Sequence, residues 1–254
     1  MYAASSPTLL LIAHGSRDPR HAATVHALAE RVRERQPGTR VEVSFLDFNT
    51  PPVPAALNRL ARAGVRDVVA LPLLLTRAFH AKADIPAVLN ETAARLPHLR
   101  ITRAEVLGPS PLLLSAVERR LYESGLRPDD KSSTGVVLAS AGSTDPEAIA
   151  VIAEIARELR DAGWRSVRPA FASAALPRTE DAVRALRAAP GVSRVAVAPY
   201  VLAPGFLPDR IARGASLGGA DVLAPVLGDC PEVADLVLTR YEAAARATTT
   251  LTAA

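Results

Sequence analysis

Residues 11–19 read LIAHGSRDP, and residues 138–146 read LASAGSTDP. In both stretches an apolar run ends in Gly-Ser, and an Asp-Pro pair follows. Asp before Pro is typical of a helix start, with the carboxylate as N-cap and proline in the first turn. A buried strand, a turn and a helix in this order form the basic unit of a parallel α/β sheet. The stretch therefore predicts a strand over 8–13 and a helix over 19–36.

The repetition extends along most of the chain. Gly64 and Val65 recur as Gly191 and Val192 at the same spacing, and the VLG of residues 106–108 returns at residues 226–228. Blocks that return in the same order indicate an internal duplication. We expect an N-terminal domain over 7–125 and a C-terminal repeat domain over 134–247. A polar, turn-rich linker is expected between them.

Strand and helix patterns alternate within each half. In the first half the apolar runs predict further strands over 41–46, 65–75 and 101–104. The helical patterns cover 52–63, 84–95 and 110–123. The expected fold class is α/β, with two tandem open parallel-sheet domains of Rossmann type that face one another about a pseudo-twofold axis. Ligands bind such sheets beyond the carboxyl ends of the strands.

Composition excludes several classes of protein. The chain has 254 residues, of which 49% are hydrophobic and 22% charged, as in ordinary globular proteins. No apolar run approaches the length of a membrane span, so we expect no membrane partner. The net charge is +4, and the basic residues are scattered, which argues against nucleic acid. A single cysteine, Cys230, excludes a disulfide framework, and no signal peptide is visible, so the expected location is cytoplasmic.

Two histidines follow predicted strands. His14 comes after the first strand and His80 after the third, so neighbouring strands would bring both imidazoles to one crevice. Imidazole is the commonest metal ligand and titrates near pH 6.5. The second half has Ala141 and Leu207 at the corresponding positions. A histidine that the fold required would be present in both halves, so we expect the metal chemistry in the first half alone.

Three segments resemble a known family. AHGSRD at 13–18, FLD at 45–47 and the PLLL block at 72–75 that leads to His80 look like the sirohydrochlorin chelatases of the SirB and CbiX type. The resemblance covers nearly the whole chain, because the longer members are two fused domains. It implies ATP-independent insertion of a divalent metal into sirohydrochlorin, the precursor of sirohaem and cobalamin. It also implies that His14 is metal ligand and proton acceptor and that His80 is a second metal ligand.

The resemblance further implies a lyase with a defined substrate-binding set. The expected substrate-binding residues are Asp47, Leu75, Thr76, Arg77, Ala78 and Phe79. Fe²⁺ is the first choice of metal, Co²⁺ a close second, and Ni²⁺ is less favoured. No nucleotide is expected, since neither glycine-rich phosphate motif is present. A monomer is expected, because two fused domains can form the cleft.

The chemistry of the residues agrees with this interpretation. Metallation removes pyrrole protons, which requires a base with a pKa near neutrality. A metal that has few protein ligands can be transferred to the macrocycle. Arginines should face the carboxylate side chains of the substrate, and Arg210 lies in a suitable predicted loop of the second half. Phe206 precedes it by four residues, and we expect its ring to pack in the core. One alternative is a carrier that binds metal or tetrapyrrole without turnover. Another is a histidine phosphatase, which normally has Arg where this chain has Ala13.

Overall fold

The computed structural model describes residues 6–76 and 83–252, with side chains to residue 247. The described helices and strands alternate along the chain. In chain order they are β1 (Thr8–Ala13), α1 (Pro19–Arg35), β2 (Val41–Phe45), α2 (Val53–Arg62), β3 (Asp67–Pro72), α3 (Ile85–Arg95), β4 (Arg100–Arg103), α4 (Pro111–Glu123), β5 (Thr134–Ser140), α5 (Pro146–Asp161), β6 (Ser166–Phe171), α6 (Thr179–Arg187), β7 (Arg194–Tyr200), α7 (Phe206–Gly218), β8 (Val222–Leu223) and α8 (Pro231–Thr252). A 3₁₀ helix, Pro128–Ser133, precedes β5.

The strands form two four-stranded parallel sheets. Their orders are β2-β1-β3-β4 and β6-β5-β7-β8. β1 therefore pairs with β3, which is the arrangement that the expected crevice after these two strands requires. Every residue of β1 and of β5 is buried, which explains why both strands are continuous apolar runs. The predicted α/β class with two parallel sheets is confirmed.

The first sheet has its core between the strands and two helices. Leu10 and Ile12 of β1 pack with Leu57 and Leu60 of α2 and with Ile85 of α3, and all five are fully buried. In the second sheet Val137 and Val197 pack with Val183 and Leu186 of α6. Burial of several such side chains, at roughly 1.5–3 kcal/mol each, is the main stabilising contribution in each core.

The chain divides into two compact units. Unit 1 comprises Met1–Gly108 and Asp229–Ala254, and unit 2 comprises Pro109–Gly228. These limits differ from the repeat boundaries at 125 and 134, because the last helix of each repeat belongs to the other unit. In unit 1, Arg240 of α8 donates to the carbonyl oxygens of Val106 and Leu107 at 3.0 and 3.1 Å.

In unit 2 the contacts of α4 have the same character. The indole Nε1 of Trp164 donates to Glu118 of α4 at 2.9 Å, and Arg120 donates to the carbonyl of Leu227 at 2.8 Å. α4 also packs against β7. Each unit therefore combines three βα steps from one repeat with the last helix of the other.

Two local predictions need correction. β3 runs over Asp67–Pro72 and not over 65–75. Val65 donates its N–H back to Leu60 at the end of α2, so it cannot pair in the sheet. The expected linker holds a 3₁₀ helix, in which Asp130 accepts from the N–H of Arg127 at 2.8 Å. Within the described residues, every helix is too short or too polar to cross a membrane.

Candidate active site

The loops after β1 and β2 touch at Gly15. Its φ is +96°, and a Cβ at this position would lie 1.9 Å from the carbonyl oxygen of Asp47. Only glycine tolerates both the backbone angle and the close approach. The N–H of Asp47 in turn donates to the carbonyl of His14 at 2.9 Å. The chain thus fixes His14 and Asp47 side by side at the carboxyl ends of two adjacent strands.

Polar side chains hold the rest of the turn. The N–H of Ser16 donates to Asn49 Oδ1 at 2.7 Å, and Ser16 Oγ accepts from the N–H of Asp18 at 3.1 Å. Asp18 then accepts from the N–H of Arg20 at 2.9 Å, which confirms it as the N-cap of α1. Hydrogen bonds from the side chain and backbone of Arg20 lower the pKa of the Asp18 carboxyl. Hydrogen bonds from its own side chains therefore hold the turn in place.

An aromatic ring lies beside His14. Phe48 is 53% exposed and has a φ of 60°, which bulky residues rarely adopt. Its ring is parallel to the imidazole of His14 within 6°, with centroids 6.3 Å apart. The guanidinium of Arg17 lies 5.2 Å from the centre of the same ring. An exposed flat ring beside a half-buried imidazole can support a flat ligand.

A cavity of about 270 Å³ opens at this point. It lies entirely within unit 1, and its walls are both polar and apolar. They comprise His14, Phe45, Leu46, Asp47, Val53, Pro54, Asp84 and Val88. One imidazole and two carboxylates thus share the cavity. The Asp47 carboxylate accepts from the N–H of Phe48 at 2.9 Å, which orients it.

A second histidine, His21, lies close behind this site on α1. Burial lowers its pKa, and a positive charge on His14 would lower it further, while Asp18 acts in the opposite direction. Its Nδ1 is buried and has no hydrogen-bond partner among residues 6–76 and 83–252. Burial therefore favours the neutral form of His21. It places no second positive charge next to His14.

The predicted site residues fall into three groups. His14 and Asp47 share the cavity. Leu75 and Thr76 are half-buried in the segment that follows β3. Arg77, Ala78, Phe79 and His80 lie outside the described residues. Among the residues that are described, no three histidine, cysteine or carboxylate side chains form a metal-binding cluster.

Comparison with known proteins identifies the family. The CbiX family model matches residues 8–124 and again residues 135–244. The chain belongs to the CbiX family. The predicted family resemblance and the internal duplication are thereby confirmed.

Several named relatives resemble this CbiX chain over most of its length. A sirohydrochlorin cobaltochelatase of Priestia megaterium is 28% identical, over 80% of this chain and 67% of that protein. A sirohydrochlorin ferrochelatase of Bacillus subtilis (strain 168) is 29% identical, over 81% and 77%. A solved structure of SirB from Bacillus subtilis with Fe³⁺ superimposes with a TM-score of 0.82 at 25% identity, covering 96% of this chain and 98% of that one.

The second CbiX repeat reproduces the backbone of the site. The N–H of Ser173 donates to the carbonyl of Ala141 at 3.0 Å, as Asp47 does to His14. Gly142 has a φ of +95° and lies as close to the carbonyl of Ser173 as Gly15 does to that of Asp47. Ala174 has a φ of 61°, matching Phe48.

The side chains at these positions differ between the repeats. His14, Asp47 and Phe48 are replaced in the second CbiX repeat by Ala141, Ser173 and Ala174 respectively. Since the hydrogen bonds and backbone angles are kept, none of the three side chains is needed to form the loop. They are present in only one repeat, and they line or adjoin its cavity. This internal comparison marks them as candidate functional residues.

Sequence reasoning missed Phe48 and Asp84. The sequence does contain one signal for Phe48. When residues 45–48 (FLDF) are aligned with residues 171–174 (FASA), Phe48 corresponds to an alanine. In the sequence, Asp84 is only the first residue of the helix predicted over 84–95. Its place in the cavity depends on how α3 packs beside α2, which periodicity along the chain does not reveal.

Proposed function

We propose that this chain is a lyase that inserts a divalent metal into sirohydrochlorin without a nucleotide. The observation that carries the proposal is the duplicated loop. One copy presents His14, Asp47 and Phe48, and the other presents Ala141, Ser173 and Ala174 on the same backbone. The chelatase names of the relatives support the same reaction. The repeat domains 7–125 and 134–247 are proposed as the units of the duplication, which the two family matches support.

Metal insertion requires that two pyrrole protons leave the macrocycle while water leaves the metal. The imidazole of His14 is a nitrogen base in this cavity, so it is suited to accept one of these protons. Burial lowers the pKa of His21 and so favours its neutral form. It therefore does not oppose a positive charge that develops on His14. The carboxylates of Asp47 and Asp84 line the same cavity, and their negative charges favour a metal cation there.

The metal is a substrate here, and it must be held weakly enough to be released. We propose His14 and His80 as its protein ligands, which leaves coordination positions open for water and then for pyrrole nitrogens. His80 precedes Asp84 by a few residues in sequence, and Asp84 lines the cavity with His14. That proximity along the chain supports its assignment.

The macrocycle needs a flat surface. Phe48 offers an exposed ring parallel to the imidazole of His14. Val53 and Val88 add apolar surface to the cavity wall. We further propose that Asp47 and residues 75–79 contact the substrate, with Arg77 facing its carboxylates.

The finer assignments are proposals of the same kind. Fe²⁺ is proposed as the preferred metal and Co²⁺ as the second, in line with the ferrochelatase and cobaltochelatase names of the relatives. Ni²⁺ is a third candidate. We propose a cytoplasmic monomer that needs neither a nucleic acid nor a membrane.

The test is an anaerobic visible-absorption assay. Purified protein is mixed with sirohydrochlorin and Fe²⁺, Co²⁺ or Ni²⁺ in turn, without nucleotide. The metal-free spectrum should disappear catalytically with wild-type protein and at the uncatalysed rate with His14→Ala. The matched control is His98→Ala, which removes an exposed histidine that does not line the cavity and should retain the wild-type rate.

The assay also separates enzyme from carrier. A carrier would bind metal or tetrapyrrole stoichiometrically and leave the insertion rate unchanged. His14→Ala should keep its fold, measured by circular dichroism, because Ala141 occupies the same position in unit 2. Wild-type insertion no faster than the buffer reaction with all three metals would contradict the proposed function.

A further inference from the structure

Unit 2 has its own cavity, of about 200 Å³. It lies at the position in the second repeat that corresponds to the site cavity of the first. Phe171 and Ala172 form part of its wall, as Phe45 and Leu46 do in unit 1, and the start of α6 takes the place of the start of α2. The second repeat therefore has a cavity at this position although it has no imidazole there.

The charge of this cavity is opposite to that of its counterpart. Arg178, Arg210 and Arg213 line it, with Glu180 as its one carboxylate. None of the three arginines forms an ion pair with a described residue. Arginine forms paired hydrogen bonds to planar or tetrahedral oxyanions, so three of them around one cavity favour an anion.

Two buried polar atoms lack a partner at the same place. Nη1 of Arg178 and Oγ1 of Thr179 are buried without a hydrogen bond among the described residues. Thr179 is only 2% exposed, and it lines the cavity. Buried donors are normally satisfied, and a missing partner costs about as much as a lost hydrogen bond. An anion in the cavity would supply the acceptor that both atoms lack.

Close helix packing brings these groups together. A Cβ on Gly214 of α7 would lie 2.8 Å from Cβ of Thr179 and 2.7 Å from a carboxylate oxygen of Glu180. α7 therefore approaches the first turn of α6, where the backbone N–H groups have no intrahelical acceptor. The same contact places Arg210 and Arg213 of α7 near the N-terminus of α6, which carries the positive end of the helix dipole. Arg210 also lies 5.8 Å from the exposed ring of Phe206, so the expected core role of Phe206 is wrong.

We propose that this cavity binds a small oxyanion, a carboxylate or a phosphate, through Arg178, Thr179 and Arg213. The two repeats would then have diverged toward opposite ligands, a metal cation in unit 1 and an anion in unit 2. The anion has two possible sources with the same chemistry. One is an acidic side chain of the tetrapyrrole, and the other is free phosphate.

The site is tested with inorganic phosphate and propionate as probes, by isothermal titration at low chloride. Wild-type protein should bind at least one of them saturably at a single site. Arg213→Gln should weaken binding by about tenfold, the usual scale of a charge-assisted hydrogen bond. The matched control is Arg168→Gln, which changes an exposed arginine of β6 outside the cavity and should bind as wild type does.

Thr179→Val tests whether weaker binding arises from the site itself and not from unfolding. Valine has nearly the same shape and removes the unsatisfied hydroxyl, so the variant should unfold at no lower urea concentration than wild type. It should nevertheless bind the probe more weakly. Failure of both probes to bind, or equal affinity in wild type, Arg213→Gln and Thr179→Val, would overturn the proposal.

The source of the anion is resolved by competition. If sirohydrochlorin displaces the probe from wild-type protein without metal, the site takes an acidic side chain of the macrocycle. If the probe stays bound, the site takes a free anion. Neither outcome depends on metal insertion, so the site and the proposed chelatase activity can fail separately.

Discussion

Gly15→Ala and Gly142→Ala form a matched pair. At both positions a new Cβ would lie 1.9 Å from a carbonyl oxygen, at a φ of +96° or +95°. The positive φ costs about 1–2 kcal/mol for alanine, and relieving the overlap brings the total to roughly 2–4 kcal/mol. We expect both variants to lose this much free energy of unfolding, and to lose it about equally.

Only one of the two should lose activity. To bring the contact to 3.0 Å the Asp47 loop must move by about 1 Å, carrying Asp47 and Phe48 away from His14. A displacement of that size at a reacting centre costs on the order of 100-fold in rate. Gly142→Ala moves the Ser173 loop instead, which the proposed reaction does not use.

The assay is metal insertion at a temperature where both variants are folded by circular dichroism, with stability measured by urea unfolding. The rate of Gly15→Ala should fall about 100-fold. The rate of Gly142→Ala should stay within about twofold of wild type, because Ala141 and Ala174 offer no metal ligand or flat ring to displace. Equal loss of rate in the two folded variants would refute the assignment of the chemistry to the first repeat.

Three further outcomes are expected. Phe48→Ala should raise KM for sirohydrochlorin while leaving urea stability within about 0.5 kcal/mol, because the ring is exposed and Ala174 adopts the same φ. Burial lowers the pKa of His21 in the folded protein. As the pH falls below about 6.5, the unfolded chain therefore binds a proton at this histidine before the folded protein does. The free energy of unfolding should decline over that range. Urea titrations of His21→Gln should show a weaker decline. Asp145→Ala removes the N-cap of α5 and should cost about 1 kcal/mol in urea unfolding with the insertion rate unchanged.

Much of the fold could be predicted because the local signals are strong. The strand over 8–13 and the helix start at Asp18 are confirmed, since a continuous apolar run and an Asp-Pro pair each favour one local structure. The length of β3 could not be predicted. Its first residue depends on the hydrogen bond from the N–H of Val65 to Leu60 of α2. That bond joins the chain to the preceding helix and is not a property of the strand sequence.

The candidate site was predicted in outline from the duplication. Comparing His14 with Ala141 pointed to the first repeat without any structure. The positions of Phe48 and Asp84 required the loop geometry and the packing of α3. The anion cavity of unit 2 required the structure as well. Arg178 and Arg213 are far apart in sequence, and only the close contact of α7 with α6 at Gly214 brings them together.

The exchanged last helices have a consequence for the order in which the protein can be built. Val233 and Val237 of α8 are fully buried, and α8 packs against α1, β3 and β4. On the ribosome the strands of unit 1 emerge first, but the helix that covers them is made only after residues 109–228. Unit 1 must therefore wait, with apolar surface exposed, while unit 2 is synthesised and can close first. A gene cut at the repeat boundary would yield a first half in which β3 and β4 lack the helix that packs against them.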